Sequence, residues 1–273
     1  MFTSNIKQSG KAKRGRKMLL TIIGIIATIV LIILIAVSAI AGKNVKAMNS
    51  CIDSVMAELN QSFNVTPVDP GEYKNMKVYG IMKFDVEQYN IAELGNLSIM
   101  RVNMGVMQMA TVVITPQDKN MPLLSADYMY ILGNRKSYLE FYDVVKDKDD
   151  AYNQLLANLT DTLKGYDHLD NVETTPAWYA DLLTVTSYKG GKADADKDLE
   201  GMLTDSIKVY AKHCLQLPLL SEEEKQEKLA ITTAYTDGLI EKGGISTDVF
   251  KSSLGDEITK HFFDNVFFGT AVN

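Results

Sequence analysis

The chain has 273 residues, is 46% hydrophobic and 23% charged, and carries a net charge of −6. Such a composition belongs to a folded protein rather than a disordered one. Net acidity, with no basic stripe beyond the first 17 residues, argues against nucleic acid as a partner.

Residues 1–17 are a basic tail that includes Lys7, Lys11, Lys13, Arg14, Arg16 and Lys17. Residues 18–42, MLLTIIGIIATIVLIILIAVSAIAG, hold no charge. A helix crosses the hydrocarbon core with roughly 20 apolar residues, so this segment is predicted to be a transmembrane helix. Only Lys43 and Lys46 follow it closely, so the positive-inside rule places the N-terminus in the cytoplasm. The protein is then a single-pass cell-membrane protein with its C-terminal domain outside the cytoplasm. A cleaved signal peptide, cut after Ala39-Ile40-Ala41, is the alternative, although the apolar run outlasts an h-region of about 7–15 residues.

Residues 43–72 are expected to form a juxtamembrane helix and a linker. Val45, Met48, Ile52, Val55, Met56 and Leu59 recur at helical spacing until Pro67, Pro70 and Gly71 break the pattern. Residues 73–273 are the folded domain. Its first part reads as strands: KVYGIMKFDVEQYNI, LSIMRVNMGVMQMATVVITP, ADYMYIL and KSYLEFYDVV. The connectors AELGN, PQDKNMPLLS and GNR are too short for parallel crossovers, which predicts an antiparallel meander.

The pattern then turns helical. DDAYNQLLANLTDTLKGY is amphipathic, and LLTVTSY after Trp178 reads as one more strand. Two long helices follow, the second capped by Ser221 with Glu222 to Glu224 in its first turn. In the last segment Ile258, Phe262, Phe263, Val266 and Phe267 fall on one helical stripe. A block of strands followed mostly by helices describes an α+β domain.

Cys51 and Cys214 can be a bridge in an exported domain or two buried free thiols. His168, His213 and His261 are scattered, so no metal site is expected. Dinucleotide, P-loop, nucleophile-elbow and zinc-protease motifs are absent. One residue stands out. Asp127 opens the run DYMYIL among bulky apolar neighbours, where it is either a turn residue or a proton donor.

Five segments, in order, resemble the ferredoxin-dependent bilin reductases over roughly residues 75–268. In the central one, a strand ends at Pro116, Met121-Pro122 closes a short loop, and Asp127 lies on the next strand. A glycine hairpin at Gly133 then leads to a strand from Ser137 to Asp143. Pro176-Ala177-Trp178, KHCLQLPLLSEEEKQEKL and SSLGDEITKHFFDNVFF complete the series.

The resemblance implies a three-layer α/β/α sandwich with a central antiparallel sheet. A biliverdin-like linear tetrapyrrole, or another flat hydrophobic ligand, would lie between the sheet and the C-terminal helices. Asp127 would then protonate the ligand as electrons arrive from ferredoxin or another low-potential donor, with no tightly bound cofactor. Arg101 and Ser137 are candidates to hold the ligand's carboxylates. The family's histidines are missing, with Ala110 and Asn96 matched to their places, and Gly243-Gly244 stands where some members carry a loop acid. These departures keep a second reading open: a non-catalytic module that binds a tetrapyrrole or similar ligand at the cell surface. A ferredoxin-dependent enzyme also belongs in the cytoplasm, opposite to the side that the basic tail assigns.

Overall fold

The computed structural model describes residues 4–271. Helix α1 (Ser4–Ser62) is continuous. Basic tail, apolar span and juxtamembrane helix are therefore one rod along the backbone. Among the described residues this is one helix long and apolar enough to cross a membrane, and its side chains from Ile25 to Ile35 stand exposed. From Asn44 onward the same helix docks on the domain, burying Met48, Cys51, Ile52, Val55 and Leu59.

The sheet is built from β1 (Val65–Val68), β3 (Met82–Ile91), β4 (Gly95–Asn103), β5 (Met107–Pro116), β6 (Leu123–Ile131), β7 (Asn134–Tyr142), β9 (Leu183–Lys192) and β8 (Asp170–Asn171), in that spatial order. A short β2 (Lys77–Val78) pairs with β3, and every pairing is antiparallel. Two expectations change here. The segment Val65–Val68, expected within a linker, is an edge strand, because its backbone pairs with Gln88–Ile91. The long run from Leu97 to Pro116 is two strands, β4 and β5, folded back at Gly105, whose φ of 74° suits glycine.

Alternation divides the sheet into two faces. Leu97, Ile99, Val112, Ala126, Tyr128, Leu139 and Phe141 face α1, α2 (Asp150–Lys164) and α3 (Asp196–Cys214). Phe84, Val86, Met100, Val102, Val113 and Tyr142 face α4 (Glu222–Lys242), α5 (Ile245–Leu254) and α6 (Asp256–Phe262). The result is a three-layer α/β/α sandwich. Ser221 caps α4 in a reciprocal capping box with Glu224, as the sequence predicts.

Helix α5 is an addition to the expected elements, and α6 passes into a π turn, Phe263–Phe267. Ile258 departs from the predicted stripe: it is exposed, whereas Phe262, Phe263, Val266 and Phe267 are buried. Cys51 and Cys214 are free and buried in the same core, and burial pushes both thiols up to about 12.

Candidate functional site

The two faces of the sheet are covered unequally. On the α1–α3 face, Leu124, Ala126, Tyr128 and Tyr130 of β6 are all buried. On the other face of the same strand, Ser125, Asp127, Met129 and Ile131 are all half-buried. Met107 and Met109 on β5 and Tyr138 and Glu140 on β7 are half-buried too. Helices α4–α6 therefore close over β3, β4 and the Thr111–Pro116 end of β5 but leave a partly open groove along β6, β7 and the Met107–Met109 end of β5. Asp127 lies at its centre.

Asp127 is opposite Thr111 on β5 and Tyr138 on β7. The Thr111 hydroxyl donates to the Asp127 carboxylate. Burial raises the Asp127 carboxyl to about 6, against the lowering effect of the Thr111 bond and with a smaller push from Glu140. An acid tuned toward neutrality holds a proton it can part with. The carboxylate is packed deep among protein atoms, yet the residue keeps a partial opening to solvent through which the proton can be replaced.

Glu140 is the second acid of the groove, and the sequence reading passed over it. Residues 125 and 140 are register partners, so Glu140 sits diagonally from Asp127 on the same face. It is held in place by hydroxyls: Tyr188 donates to Oε1 at 2.8 Å and Tyr142 to Oε2. Tyr142 packs on Tyr235 of α4, with ring centroids 4.9 Å apart, and Tyr179 and Trp178 extend the aromatic wall. The Trp178 Nε1–H donates to the Gly243 carbonyl at 2.8 Å, and Lys242 Nζ lies 4.5 Å from the ring centroid. The groove thus combines apolar, aromatic and acidic walls.

The other predicted site residues are not gathered here. Arg101 and Ser137 lie on the opposite face from Asp127, because each is out of phase with the Asp127–Thr111 row. Arg101 pairs with Glu87 at 2.7 Å, and Ser137 is fully buried. Lys136, opposite Met129 and exposed, is a cation on the same face as Asp127. Ala110 also points away, into the α1–α3 core, so Thr111 is the residue that meets the acid.

Asn96 is on the groove face but is tied up. Its Nδ2 donates to the Val266 carbonyl at 3.1 Å, and its Oδ1 accepts from Gln88 at 2.8 Å, pinning the C-terminal π turn to the sheet. Two separate cavities, about 190 Å³ beside Gln117 and Lys225 and about 580 Å³ between α2 and β9, do not include Asp127 in their linings. Among the described residues no three His, Cys, Asp or Glu side chains converge as a metal site.

The sandwich has the fold of the bilin reductases. A particular solved structure shares it: phytochromobilin synthase from tomato, in complex with biliverdin. The TM-score is 0.65 at 12% sequence identity, covering 81% of this chain and 83% of that one. No protein-family model matches the chain, and no curated protein sequence matches it. The likeness is one of fold.

Proposed function

We propose that this chain is a membrane-anchored, bilin-reductase-like protein that holds a linear tetrapyrrole in the groove, with Asp127 as proton donor. The observation that carries the reading is the position of Asp127. It is an acid raised to about 6, at the centre of the half-open face between the sheet and the C-terminal helices. The tomato neighbour, which holds biliverdin, supports the ligand class. Met109, Met129, Tyr138 and Tyr188 offer polarisable and aromatic surface to a flat conjugated ligand, and Lys136 can meet its carboxylates.

Saturating one double bond takes two electrons and two protons. The electrons come from an external one-electron donor of low potential, such as reduced ferredoxin. Asp127 delivers protons and reloads from solvent through the open side. Helix α1 anchors the domain to the cell membrane, and the basic tail assigns that domain to the outside. A second reading has its own support. Thr111, the residue that meets Asp127, does not titrate, and Asn96 is bonded to Gln88 and the Val266 carbonyl, which favours a module that binds the tetrapyrrole without reducing it.

The test uses the full chain in lipid nanodiscs, titrated anaerobically with biliverdin and then given reduced ferredoxin while the visible spectrum is followed. Saturable binding and a blue-shifted product are expected. Asp127→Asn should bind within a few-fold of the parent and lose turnover by about 100-fold or more, the weight of a positioned general acid. Binding with no reduction by any low-potential donor would leave the second reading. An unchanged spectrum would overturn both.

A further inference from the structure

Three turns lie at one end of the sheet, and each carries apolar side chains into the open. They are the β2–β3 turn with Tyr79 (52% exposed) and Ile81 (86%), the β4–β5 turn with Val106 (51%), and the β6–β7 turn with Leu132 (41%). Turns in water favour Gly, Asn, Asp and Ser for conformational reasons that these residues do not meet. Tyr79 and Leu132 even occupy the left-handed region, with φ of 51° and 52°, where bulky side chains are strained. Exposure and strain together mark a surface that meets something apolar.

The chain itself supplies that something. Helix α1 enters the domain at this same end. Asn44 Nδ2 donates to the Gln108 side chain at 2.8 Å and to the Leu132 carbonyl at 3.0 Å, and the Leu132 N–H donates to the Val106 carbonyl at 2.9 Å. The apolar span therefore stops beside the turn tips, with no linker between. Around the tips stand the exposed lysines Lys43, Lys77, Lys83, Lys136 and Lys192, long side chains whose charged ends can reach lipid headgroups.

The groove opens toward the same end. Met107 is the register partner of Ile131, Met109 of Met129, and Thr111 of Asp127. These four apolar side chains, all half-buried, form a two-wide ladder from the tips to Asp127. Its length is about 13 Å, four residues at the strand rise.

We infer that the three turn tips are seated on the lipid bilayer, so that the domain stands end-on and the groove admits an apolar ligand from the membrane side. The inference rests on reading α1 as a membrane span, and it names the source of the ligand rather than its identity.

Bromolipid quenching of tryptophan tests it without any ligand. Trp178 is the only native tryptophan, and it precedes β9 at the end away from the tips, so the parent chain sets the baseline. Val106→Trp, Leu132→Trp and Ile131→Trp are made in the full chain, in nanodiscs whose lipids are brominated near the glycerol end of the acyl chains. Val106→Trp and Leu132→Trp should lose most of their added emission, Ile131→Trp less, and the parent almost none. The two tip variants change exposed side chains, so either one suffices if the other folds poorly. Tip tryptophans as bright in brominated as in plain lipid would overturn the seating. An Ile131→Trp as unquenched as the parent would overturn the membrane-facing mouth. Quenched tips together with absent biliverdin binding would refute the tetrapyrrole reading and leave the seating intact.

Discussion

Asp127 makes the chemistry of the groove measurable at the level of one proton. Below about pH 4 its carboxyl is neutral in folded and unfolded chains alike. As the pH rises from there to about 6, the unfolded chain ionises first while burial keeps the folded carboxyl protonated, so folding loses stability through that window. The shift from 3.8 to about 6 corresponds to about 1–3 kcal/mol once partial solvent access is allowed for. Asp127→Asn abolishes this dependence and can still accept from Thr111. Its stability relative to the parent should rise by that amount between pH 4 and pH 7, read by urea unfolding at each pH, because the other carboxylates cancel in the comparison. Glu140 acts on the same proton. Its charge favours the protonated Asp127, so Glu140→Gln should lower the Asp127 midpoint by up to about one unit, within the reach of a neighbouring charge. In a pH–rate profile of the proposed reduction, the limb on which the rate falls with rising pH would move to lower pH. An unmoved limb would show that Glu140 is only a bracket for Tyr188 and Tyr142.

Among the elements, α4 shows how a helix accepts a poor helix former in order to build a wall. Gly238 forgoes about 1 kcal/mol of helix propensity relative to alanine. A Cβ there would overlap the Trp178 ring, whose Nε1 is already held by Gly243. Gly238→Ala should destabilise the domain by about 1–3 kcal/mol through overpacking, with a change in Trp178 emission. Gly201 of α3 is the contrast. A Cβ there would come within 2.9 Å of the Tyr166 hydroxyl, which donates to Asp205 at 2.7 Å. Gly201→Ala gains helix propensity but must shift the hydroxyl bonded to Asp205, so it should fall within about 1 kcal/mol of the parent in urea unfolding.

The same elements show what the sequence disclosed. Strand periodicity, the Ser221 cap and the order of strands and helices were legible because each is a local pattern. The β4–β5 turn was not, because Met104 and Val106 flank Gly105 with the apolarity of a strand. Arg101 and Ser137 fall on the other face from Asp127, and part of that could have been counted. Folding the chain about Leu132-Gly133 pairs Asp127 with Tyr138, which sends Ser137 to the opposite face and brings Glu140 to the acid's side. Thr111 and the open face depend on which helices cover which strands, and no local pattern encodes that.

At the scale of the whole molecule, the apolar segment and the folded core are not separable modules. The helix that leaves the apolar segment contributes Met48, Cys51, Ile52, Val55 and Leu59 to the core. Burying five such side chains is worth roughly 7–15 kcal/mol at about 1.5–3 kcal/mol each, comparable with the entire stability of an ordinary domain. A chain beginning at Asn64 should therefore fail to fold, although it keeps every described strand of the sheet. A chain beginning at Lys43 should fold cooperatively in water. Starting instead at Lys46 removes Asn44, and with it the bonds to Gln108 and Leu132 that tie α1 to the two turns. That fragment should fold less stably than the Lys43 fragment by about 1–2 kcal/mol, the worth of buried hydrogen bonds. Urea unfolding of the three fragments, followed by far-ultraviolet circular dichroism, measures the series. A cooperative transition in the Asn64 fragment would show that α1 is dispensable for the fold. Its absence there, with a graded loss from Lys43 to Lys46, would show that the domain is built onto the helix that carries it.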